Sequence, residues 1–296
     1  MKNATLSDRI FGVIVYTIAT SFTLFCFLPF YTMVIASITE KHALIKNGYQ
    51  LWPTAFSLEA YQWALRGQQV VTGYGVTIFV TVVGTALSLM FMCALAYTMS
   101  SRKFKLRNPI AFYVYFTMIF SGGIIPWYIT MRSIGLYDNI WALIVPMLMN
   151  PWWIFILRNY FNSLPLEVLE SARIDGASDI QILARIVLPL STPVLATAGL
   201  FVSVAYWNDW WHGVMLLDFA DFRPLQVIIL RVINSIQAIR AAMAVPGTMM
   251  SIDMSQIPDL SIRMAIVVIT IGPIILVYPF VQRYFIQGLT LGAIKG

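Results

Sequence analysis

An uncharged apolar run from Phe11 to Ser37 constrains this chain more than any other feature of its sequence. A helix needs about 20 apolar residues to cross the hydrocarbon core of a bilayer, and this run exceeds that length. It is also too long for a cleavable signal peptide, so we expect a retained membrane span. With 59% hydrophobic and only 11% charged residues overall, the sequence predicts an all-α integral membrane protein.

Five further apolar runs indicate that residues 1–296 cross the membrane six times as one membrane domain. The second run contains Gly75, Thr77 and Gly84, small residues that let membrane helices approach one another closely. The third is interrupted by the sequence Ser-Gly-Gly-Ile-Ile-Pro at 121–126, which predicts a broken helix end. An outer loop is expected to follow this break and to continue through Arg132. The six predicted spans lie at about 11–37, 71–100, 109–125, 140–157, 193–215 and 263–285.

The positions of Lys and Arg orient the predicted bundle. Arg102, Lys103, Lys105 and Arg107 lie in the short connection after the second span, and such basic loops are typically cytoplasmic. Both termini and the connection at 158–192 are therefore expected in the cytoplasm of a multi-pass cell-membrane protein. In a soluble chain a net charge of +6 would suggest nucleic acid, but here the charges flank apolar runs. We expect a lipid bilayer as partner and no nucleic acid.

The cytoplasmic connection contains a charged segment at 165–193. Pro165 suits the first turn of a helix and Gly176 suits the residue after a helix end, so a short amphipathic helix is expected from about Pro165 to Asp175. Within it, the side chain of Glu170 is placed to pair with that of Arg173. A polar loop between two spans that merely happens to be helical is an equally good explanation of this pattern alone.

A second helix is expected to follow directly. Ser178 and Gln181 have the spacing of a capping box, which starts a helix. That helix should end near Leu188, because Pro189 lacks a backbone donor and disfavours a helical predecessor. The apolar residues predicted to point inward from it are Ile180, Leu183, Ile186 and Val187.

A transporter needs an energy source, and this sequence contains no phosphate-binding loop of the form G-x-x-x-x-G-K-[ST]. Any nucleotide hydrolysis must then come from other subunits, and no catalytic residues are expected here. The alternative is an ion-coupled carrier that uses Asp209 and His212, the ionisable side chains within the fifth apolar run. These two residues lack further ligands at a suitable spacing, so no metal site is expected.

The aromatic cluster around Asp209 has two explanations. Trp207, Trp210 and Trp211 could form an interfacial belt, because indole rings accumulate at membrane surfaces. They could instead stack on sugar rings, with Asn208 and Asp209 supplying hydrogen bonds to hydroxyl groups. The sequence alone favours the belt, and the five residues are retained as a candidate substrate pathway.

The charged segment resembles the cytoplasmic EAA loop of permease subunits in binding-protein-dependent ABC importers. That pattern has Glu-Ala-Ala, then Gly after three further residues, then Ile-x-Leu-Pro after nine more. One position departs from it, since Ser replaces the first Ala, and a small residue should still pack there. The matching residues are Glu170, Ser171, Ala172, Gly176, Ile186, Leu188 and Pro189.

The surrounding sequence is similar to the carbohydrate branch of these permeases, which includes the second permease of maltose-type importers and the LplC-type permeases. The resemblance covers nearly the whole chain and implies the six-helix fold of type I importer permeases. It rests on Ser121-Gly122-Gly123-Ile124-Ile125-Pro126, Ile174-Asp175-Gly176-Ala177, Trp207-Asn208-x-Trp210, Pro224-Leu225-Gln226 and Gln282-Arg283-Tyr284-Phe285.

The resemblance also implies partners and roles. A second, non-identical permease would complete the channel, two ATPase subunits would hold ATP and Mg²⁺, and an extracytoplasmic binding protein would deliver sugar, while this chain itself binds no cofactor. The outer residues Gly247, Met249 and Met250 would contact the binding protein. The helix from Pro165 would be the coupling helix seated in an ATPase cleft. Its implied coupling residues are Leu166, Glu167, Leu169, Glu170, Ala172, Arg173, Asp175 and Gly176.

The expected substrates are sugars or oligosaccharides, with acidic polysaccharide fragments such as alginate among them. Arg and Lys are scarce within the spans, so recognition of charge would fall to outer-loop residues such as Arg132, to the partner permease or to the binding protein.

Overall fold

The computed structural model describes residues 6–66, 68–243 and 260–273, which are predominantly helical. Within these ranges the extended pairing consists of one isolated β-bridge between Thr39 and Phe56. In chain order the helices are α1 (Leu6–Ser37), α2 (Lys41–Asn47), α3 (Glu59–Arg66), α4 (Gln68–Ser100), α5 (Arg107–Ile119), α6 (Ile124–Ser133), α7 (Pro151–Asn162), α8 (Leu166–Ile174), α9 (Asp179–Ile182), α10 (Leu188–Leu190), α11 (Thr192–Trp207), α12 (Trp211–Leu216), α13 (Leu225–Met243) and α14 (Leu260–Pro273).

The described residues form two compact units. The first contains residues up to Gln68 together with Arg231–Gly272, and the second is mainly Gln69–Leu230. In the sequence, Ser57 is placed to cap a short helix that runs through Leu58, Tyr61 and Leu65. In the first unit the Ser57 hydroxyl accepts a hydrogen bond from the Glu59 N–H at 3.2 Å, so α3 begins at this predicted cap. The candidate functional residues of the cytoplasmic connection and the fifth span all belong to the second unit.

Two helices are long and apolar enough to cross a membrane alone, Ser7–Ser37 within α1 and Gln69–Ser100 within α4. They coincide with the first two predicted spans. Three further pairs of helices are bent at a short break, and counting each pair as one span gives up to five crossings among the described residues. The sixth predicted span includes most of α14, and its remainder at 274–285 lies outside the described residues.

The third predicted span is broken, as its Gly and Pro residues indicated. Helix α5 ends at Ile119 and α6 begins at Ile124, with their axes bent by 120°. Gly123 supplies the left-handed backbone, with φ of 86°, that this change of direction requires. The expected outer loop through Arg132 is wrong, because α6 continues as a helix to Ser133.

The fourth predicted span, 140–157, is also not one continuous α-helix. Two 3₁₀ turns within 140–147 precede α7, and the two parts are bent by 48°. The Asn150 side chain accepts hydrogen bonds from the N–H groups of Trp152 and Trp153 at 3.0 and 3.3 Å. A new helix therefore starts here with its own cap, and a proline follows at its first position.

Two buried polar contacts hold the second unit together around α4. The Tyr206 hydroxyl lies 2.9 Å from the Ser88 hydroxyl and donates to the Ile144 carbonyl at 3.0 Å, which joins α11, α4 and the 3₁₀ turns. The Thr77 hydroxyl accepts a hydrogen bond from the Leu225 N–H at 2.9 Å and so caps the start of α13. The first contact fixes the end of α11 against α4, and the second fixes the start of α13 against the same helix.

Candidate coupling helix and translocation pathway

The short cytoplasmic helix predicted from Pro165 to Asp175 is present as α8, with these two residues at its caps. Ser171, which replaces an alanine of the EAA pattern, donates its hydroxyl hydrogen to the Glu167 carbonyl at 2.8 Å. Because its own helix satisfies the hydroxyl, the substitution leaves no polar group without a partner at this position.

Helix α8 ends in a Schellman motif. The Ala177 N–H donates to the Ala172 carbonyl at 3.0 Å, and the Gly176 N–H donates to the Arg173 carbonyl at 3.1 Å. Gly176 has φ of 83°, a conformation that side chains with a β-carbon rarely adopt. The predicted role of this glycine in a tight turn therefore has a defined geometry.

The two sides of α8 differ in what they contact. Leu169 and Ala172 are half-buried and pack against the hydrophobic core of the second unit. Leu166, Val168 and Ile174 are 40%, 41% and 86% exposed. The exposed apolar side chains of α8 are therefore these three, which do not all share one helix face, whereas Leu169 points toward its own chain.

Charged side chains occupy the remaining positions of α8. Glu167, Glu170 and Asp175 are exposed. The expected pairing of Glu170 with Arg173 is wrong, because the Arg173 guanidinium instead lies 3.4 Å from an oxygen of Asp179. The Schellman turn brings the start of α9 back toward the last turn of α8, and this offers Arg173 a carboxylate outside its own helix.

A cavity of about 200 Å³ lies between α8, the end of α7 and the turn after α4. Three of its charged lining residues are basic and one is acidic. Its lining includes Arg102, Lys103, Asn162, Leu166, Glu170 and Arg173.

The second cytoplasmic helix begins at the predicted capping box. The Ser178 hydroxyl accepts from the Gln181 N–H at 3.4 Å, and the Gln181 side chain accepts from the Ser178 N–H at 2.8 Å. The prediction that Ile180 points inward is wrong, since it is 80% exposed, whereas Ile182 is fully buried. Residues two positions apart do not share a helix face, so burying Ile182 turns Ile180 outward.

The expected end of this helix near Leu188 is also wrong. A π turn spans Leu183–Val187, in which the Leu188 N–H donates to the Leu183 carbonyl, and the chain stays helical to Leu190. In a π turn a carbonyl accepts from the N–H five residues later, so an N–H four residues later is not required. This accounts for a helical Pro189.

The five candidate pathway residues at the outer end of the fifth span do not form one surface. Trp207 ends α11 and is buried, with its ring 6.5 Å from that of Tyr74, and the break before α12 follows. Asn208 is exposed, and its side-chain oxygen accepts from Gln226 at 3.3 Å. Trp210 is 49% exposed. Of the three tryptophans, Trp210 offers the most accessible ring.

Asp209 and His212 form a pair shielded by tryptophans. The His212 Nδ1 lies 3.0 Å from both Asp209 carboxylate oxygens, and the Asp209 and His212 side chains are 8% and 15% exposed. Trp211 and Trp127 pack on the imidazole at ring distances of 4.8 and 5.6 Å, and the two indoles lie 4.5 Å apart. Sequence reasoning missed Trp127, whose place after Pro126 in the broken third span was the available signal.

A second polar arrangement braces the outer loops. One Asp138 carboxylate oxygen accepts three backbone hydrogen bonds, from Asp218, Phe219 and Ala220, at 2.7, 3.0 and 3.2 Å. Asp138 itself has φ of 49°. Its carboxylate therefore closes the loop after α12 onto the loop after α6.

The neighbouring Tyr137 lies beside Arg132, the residue that the sequence suggested for recognition of charge. The Arg132 guanidinium carbon lies 4.9 Å from the Tyr137 ring centre. The Tyr137 hydroxyl donates to Asp218 at 3.3 Å. Loss of hydration raises the pKa of the Tyr137 hydroxyl most, and the nearby Asp218 carboxylate raises it further. The phenol therefore stays protonated and continues to donate its hydrogen bond.

The predicted contacts with a binding protein, Gly247, Met249 and Met250, lie outside the described residues.

Known proteins resemble this chain over nearly its full length. It is 37% identical over 291 residues to the polygalacturonan/rhamnogalacturonan transport system permease protein YtcP of Bacillus subtilis, covering 98% of this chain and 100% of the relative. It is 39% identical over 269 residues to the protein LplC of the same organism, covering 91% and 89%.

Solved structures give the same result. A chain from the crystal structure of a bacterial ABC transporter involved in the import of the acidic polysaccharide alginate matches with a TM-score of 0.83 and 32% identity. The match covers 96% of this chain and 100% of that one. The family model for the inner membrane component of binding-protein-dependent transport systems matches residues 91–291, which include α8 and its Schellman turn. The chain therefore belongs to the family of inner membrane components of binding-protein-dependent transport systems.

Proposed function

We propose that this chain is the permease subunit of an ATP-driven importer of acidic oligosaccharides, such as fragments of uronate polysaccharides. At the coarser level it is a permease of a sugar-importing ABC transporter. The observation that carries the finer proposal is similarity along nearly the whole chain to a polygalacturonan/rhamnogalacturonan permease and to an alginate-importer chain. Both of these relatives are named for the transport of acidic polysaccharides.

In this proposal α8 is the part of the chain that two ATPase subunits move. Its outward surface combines the apolar Leu166, Val168 and Ile174 with three carboxylates, the composition expected of a helix that seats in a partner's cleft. The Schellman turn and the buried contacts of Leu169 and Ala172 support movement of α8 with its bundle as a rigid body. ATP and Mg²⁺ would be held by the ATPase subunits.

The other partners follow from the same proposal. A non-identical second permease completes the translocation channel, and an extracytoplasmic binding protein delivers the sugar at the outer face. Both termini and the α8 connection face the cytoplasm, consistent with the basic residues at 102–107.

The outer end of the fifth span is the proposed contact point for sugar in this subunit. Trp210 offers an accessible ring for stacking, and Asn208 beside it offers an amide for hydroxyl groups. The paired Asp209 and His212 serve as structural support beneath them, because each side chain satisfies the other. Arg132, held near the Tyr137 ring, is the proposed contact for a substrate carboxylate.

Transport by the complete complex in proteoliposomes tests the proposal. The substrates are trigalacturonate and its carboxyl-reduced neutral counterpart, each supplied with the cognate binding protein and with ATP inside the vesicle. We expect uptake of the acidic trisaccharide that persists when ionophores collapse all ion gradients. Uptake of only the neutral counterpart would refute the acidic substrate class, and loss of uptake with the ion gradient would instead favour an ion-coupled carrier.

A further inference from the structure

Three helical elements converge on one carboxylate at the cytoplasmic end of the bundle. The Tyr97 hydroxyl donates to Asp179 Oδ1 at 3.3 Å, and the Arg173 guanidinium donates to the same oxygen at 3.4 Å. Tyr97 lies in the last turn of α4, Arg173 in the last turn of α8, and Asp179 at the first position of α9. The Asp179 side chain thus joins α8 and its turn to the membrane-spanning helix α4.

Local structure holds Asp179 in position for these two contacts. The reciprocal Ser178 and Gln181 capping bonds fix the backbone on either side of it. The Tyr97 side chain approaches from the bundle, where the residue is only 8% exposed. The Tyr97 hydroxyl is therefore presented by a packed helix to a carboxylate presented by a capped turn.

Helix α8 and its turn also contact the bundle through apolar residues. Leu169, Ala172 and Ala177 pack against the hydrophobic core of the second unit. Apolar packing resists separation but is not directional, whereas a hydrogen bond depends on distance and angle. The bonds to Asp179 are thus suited to fixing the rotation of α8 against α4.

The covalent route from α8 forward into the fifth span is a less direct connection. It passes through the π turn at Leu183–Val187 and through an 85° bend between Asp179–Leu190 and Thr192–Trp207. Each of these is a point at which a helix axis changes direction. The contact through Tyr97 bypasses both and reaches α4 from Asp179, three residues after Gly176.

We infer that Tyr97 is a positioning residue for the coupling helix, acting through Asp179 and Arg173 to transmit movement of α8 directly to α4. The inference rests on the proposed function of α8 as the element moved by the ATPase subunits. In this role Tyr97 contacts neither substrate nor nucleotide. Loss of its hydroxyl should therefore reduce the number of sugars imported per ATP hydrolysed, without changing the affinity for ATP.

The test compares Tyr97→Phe, Asp179→Asn and the double variant in the complete complex, in proteoliposomes with binding protein and trigalacturonate. Uptake per assembled complex should fall about two- to fivefold in each single variant, the factor expected for a contact to a carboxylate whose side chain is 72% exposed. The ATPase KM for ATP should be unchanged, so the ratio of sugar imported to ATP hydrolysed falls. The double variant should be no worse than the less active single variant, since both act on the same bond: phenylalanine removes its donor, and asparagine removes the charge of its acceptor.

Tyr113→Phe is the matched control, because Tyr113 is 68% exposed on α5. It should keep the wild-type ratio, and an equal loss there would overturn the inference. A smaller amount of assembled Tyr97→Phe complex with normal uptake per complex would also overturn it, by showing a purely structural role.

A third comparison separates this inference from the proposed function. If Gly176→Val abolishes uptake while Tyr97→Phe and Asp179→Asn keep the normal ratio, the link to α4 is wrong and the coupling role of α8 stands. If Gly176→Val also transports normally, both are overturned.

Discussion

The ring of Tyr206 lies directly against Gly84, so that a β-carbon built on Gly84 would fall 2.7 Å from two of its ring atoms. The same tyrosine hydrogen-bonds Ser88 and the Ile144 carbonyl. The close approach of α11 to α4 therefore depends on the absence of a side chain at Gly84. The buried hydrogen bonds of Tyr206 depend on the same feature. Small residues in the second span predicted close packing, and Gly84 is one position where α4 packs this closely.

Gly84→Ala should destabilise the purified complex by about 1–3 kcal/mol, because the added methyl overpacks this contact and displaces the Tyr206 ring. Thermal unfolding in detergent measures the effect. Gly75→Ala is the control on the same helix, since no described atom lies within 4 Å of its built β-carbon. That variant should be neutral or gain up to about 1 kcal/mol from helix propensity. Equal destabilisation of both variants would contradict the packing argument.

Thr77→Val should cost about 1–3 kcal/mol, because it leaves the buried Leu225 N–H at the start of α13 without its acceptor. Valine has nearly the same shape, so the lost hydrogen bond rather than a cavity determines the result. Thr77→Ser keeps the hydroxyl and should preserve most of the stability. The two melting temperatures decide the matter, and a serine variant as unstable as the valine variant would point to the lost methyl group instead.

The features predicted correctly from the sequence depend on near neighbours along the chain. The capping box at Ser178 and Gln181, the turn at Gly176 and the start of α3 after Ser57 each need only a few adjacent residues. Long apolar runs likewise identified α1 and α4, because membrane-crossing length is a local property.

The features that were missed depend on residues distant in sequence or on competing partners. The outward direction of Ile180 follows from burial of Ile182 against the bundle, which no local pattern contains. The Arg173 guanidinium pairs with Asp179 rather than with Glu170, because the turn after α8 brings a second carboxylate within its reach. The contact of Trp127 with Trp211 required knowing that α6 folds back after a 120° bend.

Asp138→Ala should loosen the outer loop after α12, since it removes the acceptor of three backbone N–H groups. Hydrogen–deuterium exchange at the amides of 218–220 should accelerate about fivefold or more, as expected for loss of roughly 1 kcal/mol of local protection. Asp221→Ala, at an exposed carboxylate in the same loop, should leave these amides unaffected. Unchanged exchange in Asp138→Ala would mean that the loop is held by other contacts.

Glu170→Lys should abolish substrate-stimulated ATP hydrolysis and uptake while leaving membrane insertion intact. It places a fourth cation at the cavity already lined by Arg102, Lys103 and Arg173, and it removes a carboxylate from the outward face of α8. Glu170→Gln removes the charge without reversing it, and should retain part of the activity. ATPase assays with loaded binding protein check both variants, and a fully active lysine variant would remove Glu170 from the coupling surface.

Gly176→Val should abolish coupled transport, because valine at φ of 83° forces the Schellman turn to rearrange and changes the direction in which α8 projects. Gly135→Val provides a control with the same backbone problem, since Gly135 has φ of 80° in the loop after α6. Both variants should lose a similar stability, about 1–2 kcal/mol from the left-handed conformation. Only Gly176→Val should separate ATP hydrolysis from uptake in proteoliposomes. Equal losses of coupling in the two variants would show that general destabilisation, rather than the geometry of the α8 turn, is responsible.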